Sequence, residues 1–513
     1  MRPATRCLTL LAALSGLFVV ALPAAGAPTY TITTTVVGSG TIALDPQKAG
    51  YQKNNIVIVT AAPDAGWTFD HWEGSLAGTQ NPATLRVGGN SSITGVFLDT
   101  SAPPPGADRP PLPGSKMVVG YFTQWSIYRR GYLLRDVQKS GAAAELDVIN
   151  YAFAAPDEAL RCASLDTFAD YGKRFEASES VDGVADTVSQ PLKGNFNQLR
   201  KLKAKHPGLR ALISLGGWTQ SARFSDAALP ENRTAFVASC IDMFMRGNVA
   251  PGVSAAGVFD GIDVDWEYPG SCGATCSSRP SEDVVNFTAL LAEFRRQLDA
   301  YEVEAQGSST TRPEFLLTIA APAGAAHYDP IDLKAIAVSL DWINVMAYDF
   351  HGSWETAGPA NHQAPLYQSP CDDGSADWAE KAMKAYLVDV PPSKLLLGVP
   401  FYGRGWRTAA VGDGLCETAN GIPRGTYEKG VNDFKVLDAQ GRPDFYGEGT
   451  HWTFNGSEFW SYDDPTSIAV KAGYVNGTPV LRGMMFWELS GDTADAKLLK
   501  ALRGSLGREP ATR

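Results

Sequence analysis

From Lys116 onward, apolar residues fall into short unbroken runs separated by stretches in which they recur every three or four positions. The first pattern predicts strands buried on both faces and the second predicts helices with one apolar stripe, which together are the mark of parallel βα units. Eight candidate strands follow in order: Val118 to Phe122, Val148 to Phe153, Ala211 to Leu215, Gly261 to Trp266, Leu316 to Ala320, Trp342 to Ala347, Leu395 to Val399 and Gly483 to Trp487. In one unit Phe196, Leu199 and Leu202 lie at helical spacing, Pro207-Gly208 stops the helix, and the strand from Ala211 follows. Another helix is expected from Ser281, with Val284, Phe287, Leu290, Leu291, Phe294 and Leu298 on one face. Eight such units predict an α/β fold closed into a (β/α)8 barrel over residues 116–506.

The spacing breaks once. About eighty residues separate the seventh and eighth strands, and beyond Gly403-Arg404-Gly405-Trp406 the chain turns rich in turns and aromatics. Phe434, Phe445, Tyr446, Trp452, Phe454 and Phe459 are too apolar for a solvated loop, so an inserted subdomain is expected at about 404–460. Residues 28–100 read differently, as β-rich runs at Tyr30 to Val37, Thr41 to Leu44, Ile56 to Thr60 and Ser92 to Phe97 punctuated by turns such as Gly38-Ser39-Gly40. A small all-β module is expected there. Its Trp67 and Trp72 are either sugar contacts or the core of a module too small to spare them. Residues 101–115 are dominated by proline and predict a stiff extended linker. At the start, Arg2 and Arg6 precede the apolar run Leu8 to Leu22 and the small residues Ala24 to Ala27, the pattern of a secretory signal peptide over 1–27.

The fourth predicted strand carries the chemistry. In Asp260-Gly261-Ile262-Asp263-Val264-Asp265-Trp266-Glu267 side-chain alternation puts Asp263, Asp265 and Glu267 on one face and Ile262, Val264 and Trp266 on the other. Facing the inside of a barrel, three carboxylates cannot all ionise easily, so at least one pKa rises and a proton is shared, which suits an acid catalyst near neutral pH. Glu267, nearest the C-terminal rim where barrel active sites form, is the expected proton donor. Asp260 has the wrong parity and is expected to serve structure.

Charge and cysteines narrow the partners. Lys and Arg number 44 and Asp and Glu 55, so the net charge of −11 argues against nucleic acid or an anionic membrane surface and fits a neutral polymer. The 12 tryptophans provide rings for stacking on sugar faces. With Cys7 in the leader, six cysteines remain, an even count consistent with three disulfides in an exported chain, and Cys272 and Cys276 are placed to staple the loop after the acidic strand. The cysteines and scattered histidines lack metal-site spacing, so no metal or organic cofactor is expected. A single chain acting as a monomer is expected.

The pattern Asp260-x-x-Asp263-x-Asp265-x-Glu267 resembles the signature of family 18 glycoside hydrolases, the chitinases. Ser214-Leu215-Gly216-Gly217-Trp218, Met346-Ala347-Tyr348-Asp349 and Trp487 resemble that family's third-strand, sixth-strand and eighth-strand motifs in the same order. The insertion resembles the α+β subdomain that walls the groove of deep-cleft chitinases, and residues 28–100 resemble divergent InlB B-type repeat modules of secreted bacterial proteins. The resemblance implies hydrolysis of β-1,4-linked N-acetylglucosamine polymers by a retaining, substrate-assisted route in which the 2-acetamido oxygen attacks the anomeric carbon. It implies Glu267 as acid, Asp265 holding the acetamido group, Asp263 adjusting its protonation, Tyr348 bonding the acetamido carbonyl, Asp349 assisting, and Trp487 under the reacting sugar. Tyr121, Trp218, Tyr268, Met346, Trp354 and Arg404 would be further sugar contacts. An endo-β-N-acetylglucosaminidase shares the motif, and an inactive chitin-binding lectin is the third reading, against which Glu267 stands.

Overall fold

The computed structural model of the protein describes residues 28–507 apart from 77, 79, 100–115, 277–278, 310–311, 409–411 and 478. The expected leader over 1–27 and linker over 101–115 lie outside the described residues. The chain divides into two compact units, with the division between Ser101 and Ala102.

In the larger unit every expected strand forms, as Met117–Thr123, Val148–Pro156, Arg210–Gly216, Gly261–Asp265, Leu316–Pro322, Trp342–Met346, Leu395–Pro400 and Gly483–Trp487. Each pairs in parallel with the next and the eighth pairs with the first, so the sheet closes on itself. Alternation along the strands then makes two cores. Met117, Val119, Tyr121, Leu212, Leu316, Trp342, Leu396 and Met485 fill the inside of the barrel. Val118, Phe122, Ile149, Ile213, Ile262 and Val264 face outward into a layer of helices. The helix Gly194–Lys205 buries Phe196, Leu199 and Leu202 against the barrel, and Pro280–Gln306 buries Phe287, Leu290, Leu291, Phe294 and Leu298. Pro280 occupies the first turn of the latter, where its missing N–H costs nothing, one residue before the expected start.

Between the seventh and eighth strands, Tyr402–Thr408, Ala419–Gly421, Val431–Asp433, Asp444–Gly447, Thr450–Phe454 and Glu458–Tyr462 form an antiparallel sheet accompanied by the short helix Phe434–Asp438. Trp406, Trp452, Phe454 and Phe459 form its own buried cluster. Burying those rings is what makes this long connection a folded element rather than a solvated loop. Three disulfides resolve the pairing that the sequence leaves open: Cys162–Cys240, Cys272–Cys276 and Cys371–Cys416.

Among the described residues the smaller unit holds two three-stranded sheets. One contains Ile32–Val37, Ser91–Asp99 and Trp67–Gly74, the other Gly40–Asp45, Ile56–Pro63 and Ala83–Arg86. Val57, Val59, Trp72, Ile93 and Phe97 are buried in its core. Trp72 is fully buried and its Nε1 donates to the Gln80 carbonyl at 2.9 Å, so this ring belongs to the core; Trp67 packs half-buried against the same cluster.

Candidate active site

Toward the C-terminal end of the barrel the inward positions change from apolar to polar. Asn150, Ser214, Asp263, Thr318 and Asn344 are all fully buried there. Asp263 sits at the centre of this layer and accepts four hydrogen bonds. Tyr121 Oη and Ser214 Oγ donate to its Oδ2 at 2.7 and 2.8 Å, and Thr318 Oγ1 and Asn344 Nδ2 donate to its Oδ1 at 2.6 and 3.3 Å. Burial pushes its pKa up and the four donors oppose that, because each stabilises the ionised form. Burial prevails, so the carboxyl ends above the usual carboxylate range, with the four donors limiting the rise.

Two residues farther along, Asp265 is 4% exposed and its Oδ1 has no hydrogen-bond partner among the described residues. Burial, then the charges of Glu267 and of Asp263, raise its pKa well above the usual carboxylate range. Glu267 lies beyond the strand end, and burial raises its pKa to about 7, with a hydrogen bond to Tyr268 opposing and the Asp349 charge adding to the rise. A carboxylic acid that keeps its proton at neutral pH can deliver it in a reaction.

The backbone around these acids is fixed from the neighbouring strand. Gly216 and Gly217 adopt φ of +111° and +85°. A Cβ on Gly216 would meet the Asp265 carbonyl oxygen at 2.3 Å and one on Gly217 would meet the Phe153 ring at 2.5 Å, so only glycine fits this turn. In return Gly217 N donates to the Asp265 carbonyl at 2.8 Å. The Ser221 hydroxyl, within the next loop, accepts from Glu267 N at 2.9 Å and reaches the Asp265 carbonyl at 3.3 Å. Ser221 therefore pins the segment carrying both acids.

The sixth strand ends at Met346 and continues into Ala347, Tyr348 and Asp349. Tyr348 is half-buried, and burial followed by the Asp265 charge raises its pKa, so its hydroxyl stays protonated. Asp349 is gripped by Arg404, whose Nε and Nη2 lie 2.5 and 2.7 Å from its two oxygens, and by the Tyr402 hydroxyl at 2.7 Å. Burial works against the Arg404 charge, but Asp349 more than offsets it and the pKa ends above the ordinary value. Its guanidinium also lies 4.7 Å from the Trp354 ring centroid, holding that exposed indole at the rim.

These groups open into one cleft of about 1330 Å³, lined by Asp265, Glu267, Tyr268, Met346, Tyr348, Asp349, Trp218, Trp354, Arg404 and Trp487 among others. Its aromatic lining includes two groups with stacked rings. In one, Trp487 stacks on Phe153 at 5.7 Å and meets Trp125 at 6.4 Å. In the other, Tyr268 meets Trp218 at 6.5 Å and stacks on His327 at 4.3 Å. Of the expected residues the structure keeps two out of the cleft lining. Asp263 lies beneath it, as a residue acting through Asp265 would. Tyr121, expected as a sugar contact, is 1% exposed, with its hydroxyl spent on Asp263 and its ring 5.3 Å from Trp487, so it supports the floor from below. Asp260 is outside the site, paired with Lys203 at 2.7 Å and accepting from Ala211 N at 2.8 Å. The sequence reading missed Trp125, Phe153, Ser221, His327 and Tyr402. Trp125 and Tyr402 follow strands one and seven and were open to the same strand-end reasoning that singled out Trp487, whereas nothing in the sequence marks Ser221 or His327.

With this geometry in place, the similarities to known proteins are informative. Residues 117–492 match the glycosyl hydrolases of family 18, and residues 30–101 match the divergent InlB B-repeat domain. Chitinase C of Streptomyces lividans is 40% identical over 392 residues, 75% of this chain and 59% of that protein. Chitinase 63 of Streptomyces plicatus is 38% identical over 408 residues, 78% of this chain and 62% of its own length. The chain thus spans about three fifths of these two relatives. The catalytic domain of the psychrophilic chitinase B from Arthrobacter TAD20 superposes with a TM-score of 0.72 at 38% identity, over 78% of this chain and 97% of that domain.

Proposed function

The chain belongs to glycosyl hydrolase family 18, and from that premise we propose that it is a secreted chitinase, cleaving β-1,4 bonds between N-acetylglucosamine units with retention of configuration. The observation that carries this reading is the stack of Asp263, Asp265 and Glu267 on one inward face, with Glu267 holding its proton up to about pH 7 at the cleft wall. The chitinases among its relatives support the choice of polymer, and a cleft walled by the insertion supports a chain-like substrate. The apolar run Leu8 to Leu22 after Arg2 and Arg6 supports export. Among the described residues no helix is long and apolar enough to cross a membrane.

In the proposed reaction the reacting sugar lies over Trp487. Glu267 protonates the glycosidic oxygen as the bond to the anomeric carbon breaks. Asp265 and Glu267 rise from one strand on the same wall and Asp349 is held by Arg404, an arrangement that supports attack by the sugar's own acetamido oxygen, giving an oxazolinium ion with retention after water opens it. The unpartnered Oδ1 of Asp265 accepts from the acetamido N–H, which fixes the attacking oxygen and offsets the positive charge that forms. Tyr348 donates to the acetamido oxygen. Asp263 regulates how much negative charge Asp265 carries. Giving its proton to the departing sugar's oxygen leaves Glu267 ionised, ready to take a proton from the incoming water.

The test is release of sugar from colloidal chitin and from a chromogenic chitobioside by wild type and by Glu267→Gln. Loss of general acid catalysis lowers kcat by roughly 10²- to 10⁴-fold. Equal release by both proteins would refute the assignment of the acid.

A further inference from the structure

His327 is a polar group on the cleft wall that the reaction just described does not use. His327 follows the fifth strand in the short helix Ala325–Tyr328, half-buried and lining the cleft. Its ring is held on two sides. One face stacks on Tyr268 at 4.3 Å and 24°, and Nδ1 lies 2.8 Å from Ser271 Oγ. Ser271 is itself anchored, its N donating to the Tyr268 carbonyl at 3.3 Å beside the Cys272–Cys276 disulfide. The second ring nitrogen, Nε2, has no protein partner among the described residues. Its neighbour Asp377, at the same end of the cleft, is already engaged: Oδ2 accepts from Ala325 N at 2.9 Å and Oδ1 lies 2.9 Å from Lys381 Nζ. Burial lowers the His327 pKa below the usual imidazole range, with Asp377 partly opposing, so at neutral pH the ring is uncharged and offers Nε2 as one neutral hydrogen-bonding group. Stacking on Tyr268 alone would be served as well by phenylalanine. The imidazole adds a polar atom, held in a fixed position, to the lining of the cleft.

Which sugar it meets follows from the two aromatic groups. With the reacting sugar over the Trp487 group as proposed above, the Trp218, Tyr268 and His327 group, which adjoins the acid through the hydrogen bond between Tyr268 and Glu267, is a stacking surface for the departing sugar. Resting on the function proposed above, we propose that His327 Nε2 hydrogen-bonds the sugar on the leaving side of the scissile bond, and the acceptor sugar when glycosyl transfer competes with hydrolysis. His327 is thus a binding residue for the leaving-side sugar and has no part in the proton transfer.

The experiment compares His327→Ala, His327→Phe and His327→Gln on chitohexaose and on an aryl chitobioside, whose leaving group carries no sugar, with thermal unfolding as the folding control. Loss of one hydrogen bond lowers kcat/KM on chitohexaose roughly tenfold in the Ala and Phe variants, mainly through KM, and much less on the aryl substrate. The Gln variant recovers part of the loss. At high oligosaccharide concentration the ratio of transfer to hydrolysis products falls in Ala and Phe. A Phe variant equal to wild type, or equal losses on both substrates, overturns the inference. A wild type inactive on both substrates would instead refute the function on which it rests.

Discussion

Replacing Tyr121 with phenylalanine isolates the role of the buried carboxyl layer. The substitution keeps the ring that lies 5.3 Å from Trp487 and removes only the hydroxyl that donates to Asp263 Oδ2 at 2.7 Å. A hydrogen bond to a buried charged group contributes about 1.5–3 kcal/mol, equivalent to about 1 to 2 pH units of proton affinity. The lost bond favours the ionised form, so its removal raises the pKa at which Asp263 and Asp265 together acquire their negative charge. That charge is what offsets the oxazolinium ion. The acid limb of the kcat/KM profile should therefore move to higher pH by about 1 to 2 units, while the basic limb, set by Glu267 near pH 7, stays in place. The profile narrows and KM at the optimum changes little. Ser214→Ala, which removes the other donor to the same oxygen, should move the limb in the same direction. An acid limb that does not move, with KM raised evenly across pH, would mean that Tyr121 touches sugar and that the buried layer does not tune the reaction.

Two other expectations concern stability and organisation. Asp265→Asn should abolish most activity yet raise the melting temperature, and the gain should grow with pH. In the fold Asp265 holds its proton well above the usual range, whereas the unfolded chain releases it near pH 4, so wild-type stability is full below that pH and falls as pH rises toward the folded pKa. A gain that is largest at low pH, or none, would contradict the raised pKa. Deleting residues 28–110 should leave kcat/KM on soluble N-acetylglucosamine oligomers within about twofold, since the barrel has its own core; a large loss there would mean that the amino-terminal module shapes the cleft.

The barrel was legible because its strands are buried on both faces, and such strands appear in a sequence as apolar runs bounded by turns. All eight formed where those runs lie, and the acidic strand declared itself because three carboxylates at period two have no ordinary reason to face a barrel interior. What escaped was whatever depends on three-dimensional proximity. Tyr121 lies on an inward position of the first strand, but only the depth of the polar layer tells that it stops beneath the cleft. Ser221 reaches Glu267 N, and Ser271 Oγ holds the His327 ring, across 46 and 56 positions of sequence, which no local pattern records. The cysteine pairing was open for the same reason.

The most direct test of the mechanism sets chitopentaose against cellopentaose, which differ at carbon 2 by the acetamido group. If the substrate's own amide attacks the anomeric carbon after Glu267 delivers its proton, the acetylated oligomer is cleaved and cellopentaose is inert under the same conditions. Comparable rates on both would contradict the account, because the nucleophile would then have to come from the protein or from water.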